Sequence, residues 1–248
     1  MTRLRLLATS RLLAVPRLIL MAAVHDAARA EWHARLNERK SPRAEGGNLT
    51  VKALGADTTE LMLYDEIGYW GVTAKQFNGA LSAVTTPKIS LRINSPGGDV
   101  FDGYAMFNAL KSHSAEVAVT IDGLAASAAS VVALGGDTVA MADPSMMMIH
   151  RAWTVALGNA ADMRAVADVL AKVDGQIADV YSQKTGKSSK AMLELMDAET
   201  WLTAQEAADL GLVDQVIAPP ADDDADDAAA SAHAARMRGA RLVALRVK

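Results

Sequence analysis

Between residues 59 and 217 the chain alternates two kinds of hydrophobic pattern at short intervals. TELMLY at 59–64 and KISLRI at 88–93 alternate apolar and polar positions, as half-buried strands do, and EVAVTID at 116–122 does the same. Between them, TAKQ at 73–76 has the spacing of a capping box and predicts a helix to about Val84. A second helix is expected over 100–111, and Gly123 is read as a sharp exit from the third strand into a buried helix over 126–134. Gly135 and Gly136 close that helix, TVAMA at 138–142 returns to the sheet, and PSMMMIH at 144–150 is an apolar strand ending on a histidine. Met163, Val166, Leu170, Val173, Ile177 and Val180 then recur at three and four residues, marking a long amphipathic helix to about Thr185 and Gly186. A short helix is expected over 189–196. A second capping box, TAQE at 203–206, opens another that Gly211 stops before an apolar run at 212–217. Strands alternating with helices predict an α/β domain with a largely parallel sheet. The long helix exceeds the usual length, so its apolar face fits a contact between subunits as well as one within the domain.

The two ends break the pattern. Residues 1–47 carry Arg3, Arg5, Arg11 and Arg17 among leucines, then a charged stretch closing on PRAEGG at 42–47, and are read as a basic, charged arm. As a secretory signal the segment has a basic start and a cleavage-like ARA triplet at 28–30, but Arg11 and Arg17 leave its apolar run barely long enough, and no run reaches the ~20 apolar residues of a membrane span. The expected compartment is the cytoplasm, without a membrane partner. Residues 218–248 begin with Pro219 and Pro220 and run through DDDADD at 222–227 to a basic end, the composition of a flexible tail. The domain proper is placed at 48–217.

Composition then removes whole classes of chemistry. The 248 residues include no cysteine, which excludes a disulfide scaffold, a thiolate metal site and a cysteine nucleophile. The five histidines show no close ligand spacing, so no metal and no cofactor are expected. A formal net charge of −4 gives no reason to expect nucleic acid. What remains are three features. The first is Ser127 in GLAASAAS at 123–130, a hydroxyl among very small residues where a strand turns into a helix, although read alone the run is explained by tight helix–sheet packing. The second is NSPGG at 94–98, a double-glycine turn at the carboxyl end of a strand, where open α/β sheets bind ligands. The third is His150 at a strand end. A base that becomes imidazolium needs a partner, and Asp197 and Glu199 are the acids in MDAETW at 196–201 that could supply it; two residues apart, they are not separated by spacing alone.

Taken together, INSPGG at 93–98, GLAAS at 123–127, MIH at 148–150, TG at 185–186 and WLTAQEA at 201–207 with GLVD at 211–214 resemble the Clp protease proteolytic-subunit family. DVFDG at 99–103 and ETW at 199–201 are more similar to its phage and prophage head-maturation branch. The resemblance implies a crotonase-like spiral of ββα units with a protruding helix, assembled into rings, the helix at 159–181 matching the one through which two rings meet. It implies Ser127 as nucleophile, His150 as general base, and backbone N–H groups of Gly98 and Ala128 as the oxyanion hole. Glu199 stands at the position of the third member, where the family usually has aspartate. The implied activity is a serine endopeptidase acting on phage capsid or scaffold protein. The arm before residue 48 does not resemble the segment by which the housekeeping enzyme engages its unfolding ATPase, which argues against such a partner. Two other readings are a crotonase-type acyl-CoA enzyme, which needs no serine–histidine pair, and a ring subunit that has lost catalysis.

Overall fold

The computed structural model describes Gly47 and residues 49–218; the arm and tail otherwise lie outside the described residues. Eight strands form one sheet: β1 (Leu49–Ala53), β2 (Thr58–Leu63), β3 (Lys88–Ser95), β4 (Glu116–Ala126), β5 (Thr138–Ala142), β6 (Met146–Ile149), β7 (Thr200–Thr203) and β8 (Gln215–Ile217). The helices among the described residues are α1 (Ala74–Ser82), α2 (Val100–Ser112), α3 (Ala128–Ala133), α4 (Ala160–Thr185), α5 (Ser189–Asp197) and α6 (Ala204–Leu210). Strand order along the main path is β1-β2-β3-β4-β5-β8, parallel from β2 onward, with β1 antiparallel at the edge. This is the mixed, largely parallel α/β architecture that the alternation predicts.

The alternation translates directly into burial. In β2 every second residue is buried, and in β3 Ile89, Leu91, Ile93 and Ser95 face inward. They meet Phe77 and Leu81 of α1 and Met106 and Leu110 of α2, each no more than 2% exposed. Burying each such side chain contributes about 1.5–3 kcal/mol relative to leaving it in water. Both capping boxes form as expected, Thr73 with Gln76 and Thr203 with Glu206. Gly186 and Gly211 end their helices in the left-handed conformation, at φ 70 and 89.

Two expectations need correction. Gly123 does not end β4, which continues to Ala126, and the helix after it is only six residues long, Ala128–Ala133. The reason is a change of partner. Residues 118–121 of β4 pair with β5, whereas Leu124, Ala125 and Ala126 pair with β6. Gly123 sits between the two registers, where a Cβ would lie 2.9 Å from Asn94 Oδ1. The strand therefore forks the sheet instead of leaving it. The long helix also differs from a uniform amphipath. Val173, Asp174, Ile177, Ala178 and Tyr181 of α4 are buried, but Met163 and Val169, nearer its start, are 37% and 52% exposed. Its apolar stripe extends past the part of the domain able to cover it. Among the described residues, no helix is long and apolar enough to cross a membrane.

Candidate active site

Sheet register brings together the strand ends next to which the residues singled out in the sequence lie. β4 and β6 run parallel, with Ala126 beside Met148, and the Ser127 N–H donates to the Met148 carbonyl at 2.9 Å. Ser127 and His150 thus emerge at the carboxyl ends of neighbouring strands. His150 Nε2 lies 2.8 Å from Ser127 Oγ. On the other side β7 runs antiparallel to β6, with Ile149 opposite Thr200. His150 follows the last residue of β6 and Glu199 precedes the first residue of β7, so the two flank the same end of that ladder. Glu199 reaches its place through a left-handed backbone, φ 49.

Ser127 itself is held in a conformation that glycine prefers, φ 55 and ψ −127, which costs about 1–3 kcal/mol for a residue with a side chain. Its surroundings enforce it. The Ser130 hydroxyl donates to the Ser127 carbonyl at 2.6 Å and lies 2.7 Å from the Tyr181 hydroxyl on α4. Burial pushes the Tyr181 phenol up, so it stays protonated. Ser130 is wholly buried by these contacts. A helix of six residues carries little macrodipole, so the negative charge favoured at its start falls to local groups. Ala128 is the first helical residue, and its N–H has no acceptor within the helix.

The double-glycine turn packs against this junction. A Cβ on Gly97 would lie 2.4 Å from the Ala126 carbonyl oxygen, 2.8 Å from Ser127 Cβ and 2.9 Å from the Ala128 nitrogen. Gly98, at φ 143, would place one 2.0 Å from the Ile67 carbonyl oxygen. Ile67 holds the turn from outside, donating to Gly97 O at 2.7 Å and accepting from Asp99 N at 2.8 Å. This brace leaves no mark in the sequence, because its contacts use backbone atoms. Gly98→Ala must open the turn, and with the Gly98 N–H as the oxyanion donor that the resemblance implies, turnover is expected to fall at least about 100-fold. Gly55→Ala serves as its control. Gly55 also has a positive φ, 79, but no atom within 4 Å of the added carbon. It should cost about 1–2 kcal/mol of stability and leave turnover per folded molecule unchanged; denaturant melts paired with kinetics check both.

The second acid is engaged elsewhere. Arg151 Nε and Nη2 donate to the two oxygens of Asp197 at 2.7 and 2.9 Å, and its Nη1 reaches Asp174 at 3.3 Å. Hydrogen bonding to Arg151 holds the Asp197 carboxyl below the usual carboxylate range. The hydrogen bond to Asp197 in turn raises the Arg151 guanidinium. Arg151, Asp174 and Tyr181 were not singled out from the sequence. Asp174 could have been, as a charge four residues after Leu170 and seven before Tyr181 on an otherwise apolar stripe.

Comparison with known proteins points to one family. The sequence model described as Clp protease matches residues 59–220. Curated relatives include the ATP-dependent Clp protease proteolytic subunit 1 of Protochlamydia amoebophila, 38% identical over 129 residues, covering 50% of this chain and 63% of that one. The proteolytic subunit of Bacteroides fragilis is 33% identical over 131 residues, 52% of this chain and 63% of its own length. Subunit 2 of Corynebacterium glutamicum is 37% identical over 134 residues, 53% and 67% respectively. The chain thus spans less than two thirds of the length of the first of these relatives.

Proposed function

We infer, from the premise that this chain belongs to the Clp protease family, that it is a serine endopeptidase. The observation that carries the reading is the 2.8 Å contact between Ser127 Oγ and His150 Nε2 at the ends of adjacent parallel strands. In the reaction, Nε2 accepts the Ser127 proton as the hydroxyl oxygen attacks a peptide carbonyl. The backbone N–H groups of Gly98 and Ala128 bind the oxyanion that forms. The imidazolium then protonates the leaving amine, and water repeats the sequence to release the acyl group. Glu199 is the acid that holds the imidazole at Nδ1 and balances its transient charge. Its position at the end of the β6–β7 ladder that His150 also flanks supports this, as does the commitment of Asp197 to Arg151. An acyl-CoA enzyme would leave the serine–histidine contact without a purpose.

The finer role is processing of capsid or scaffold protein during phage head assembly, in the cytoplasm and without an unfolding ATPase. It is supported by DVFDG at 99–103 and ETW at 199–201, similar to the head-maturation branch, and by an arm unlike the ATPase-engaging segment. Assembly into a homo-oligomeric ring is supported by apolar side chains that the monomer leaves uncovered, among them Trp153, Val155 and Leu157 at 51%, 82% and 95% exposure. The full chain should be incubated with phage capsid and scaffold proteins and the products mapped by mass spectrometry. Cleavage at discrete sites supports the maturation role. Intact phage proteins beside cleaved casein would reject that role and keep the endopeptidase; a chain that cleaves neither and takes up no fluorophosphonate is the inactive subunit.

A further inference from the structure

β6 ends at Ile149, so the position of the His150 ring depends on what holds the irregular segment that follows. One carboxylate grips its first two residues after the histidine. Asp174 on α4, 7% exposed, accepts the Ala152 N–H at 2.7 Å and the Arg151 guanidinium at 3.3 Å. Arg151 passes the grip on through its fork to Asp197, two residues before Glu199. An ionised carboxylate is costly to bury, and here it stands on a helix face whose other buried members are Val173, Ile177, Ala178 and Tyr181. An apolar residue would pack there without that cost. The acid is explained by what it holds.

We propose that Asp174 is a positioning residue for the hydrolytic reaction: through Ala152 and Arg151 it sets the His150 ring against Ser127, and through Asp197 it sets the turn that carries Glu199. Its support is rigid. Tyr104 on α2 donates to the Val173 carbonyl at 3.0 Å, and Tyr181, two turns beyond Asp174, meets Ser130 behind the nucleophile. One face of α4 therefore holds both the short helix that follows the serine and the segment of the histidine, and the distance between them is fixed by a helix instead of a loop.

This inference rests on the serine-peptidase reading, and the test separates the two. Full-chain Asp174→Asn, Asp174→Ala and Arg151→Lys are compared with wild type by labelling with a fluorophosphonate. Its maximal inactivation rate is resolved from its binding constant, and folding is checked by circular dichroism. In parallel, the rate of diethylpyrocarbonate modification at His150 is mapped by mass spectrometry, with His113 as internal reference. Asp174→Asn keeps an acceptor for Ala152 but loses the charge facing Arg151; Arg151→Lys keeps the charge but loses the fork. Each should lower the maximal rate about tenfold, and Asp174→Ala about 100-fold, with probe binding changed less than about twofold. Modification of His150 should change by about threefold or more in each, and that of His113 should not. A merely structural carboxylate would reduce the folded fraction and leave the maximal rate of the folded molecules alone. Rates within about twofold of wild type in Asp174→Asn and Arg151→Lys overturn the proposal, whether or not Asp174→Ala folds. If wild type itself takes no label at Ser127, the peptidase reading falls. The positioning role is then decided by His150 modification alone, and an unchanged rate in Asp174→Asn rejects it.

Discussion

Replacing Ser127 by alanine should lower peptide hydrolysis by about 10⁴–10⁶-fold, with His150→Ala equally severe and the double variant scarcely worse, because members of one relay do not act additively. Fluorophosphonate labelling should vanish in Ser127→Ala. It should persist at Ser127 in Ser130→Ala, since the Ser130 hydroxyl is wholly buried and already engaged by the Ser127 carbonyl and the Tyr181 hydroxyl. An adduct on Ser130, or a Ser127→Ala variant of normal activity, would remove the nucleophile assignment. The backbone adds a second readout. At φ 55 and ψ −127 the nucleophile occupies territory that only glycine enters without strain, so Ser127→Gly should be inactive yet more stable than wild type by about 1–2 kcal/mol. Stability and activity then move in opposite directions at one residue, which a purely structural serine would not show.

The second large effect is expected at Glu199. Glu199→Gln preserves shape but cannot balance an imidazolium, and it lets the ring settle in the wrong tautomer; turnover should fall by about 10²–10⁴-fold with the assembly intact. Asp197→Asn should cost about tenfold or less. The charge of Asp197 is spent on the Arg151 fork, whose 2.7 and 2.9 Å bonds hold that carboxylate away from any second task. Steady-state kinetics with size-exclusion chromatography separates loss of chemistry from loss of assembly. If the two variants exchange their effects, the role passes to Asp197; if both turn over normally, His150 works with Ser127 alone.

These two acids also mark where sequence reading stops. Strands β2 and β3, helices α1, α2 and α6, and the reach of α4 follow from alternation, capping boxes and glycine stops, all properties of a few consecutive residues. Strand β7 does not, because TWLT is four residues long and gains its state from pairing with β6. Without β7 no register exists to separate Glu199 from Asp197. Gly123 was misleading for a related reason. A glycine that ends a strand and one that lets a strand change neighbours look alike until the neighbours are known, and the partners of β4 lie on either side of Gly123, at 118–121 and 124–126. Backbone devices were likewise out of reach. The Ile67 brace consists of main-chain hydrogen bonds, and the positive φ of Ser127 is imposed by packing around it.

The forked strand has a bearing on how the chain acquires its activity. Beyond Gly123, β4 pairs with β6, and β6 depends on β7, which is made of residues 200–203. Closing these pairings brings together segments far apart along the chain, and such contacts repay the entropy of loop closure only after more local structure is in place. The part of the sheet built from β2, β3 and the first half of β4 can form from a nascent chain that ends before His150. On the proposed reading, such a chain holds the serine without its base, and the base waits for β7 to bring its acid, so the catalytic row is completed only when residues 146–203 have docked.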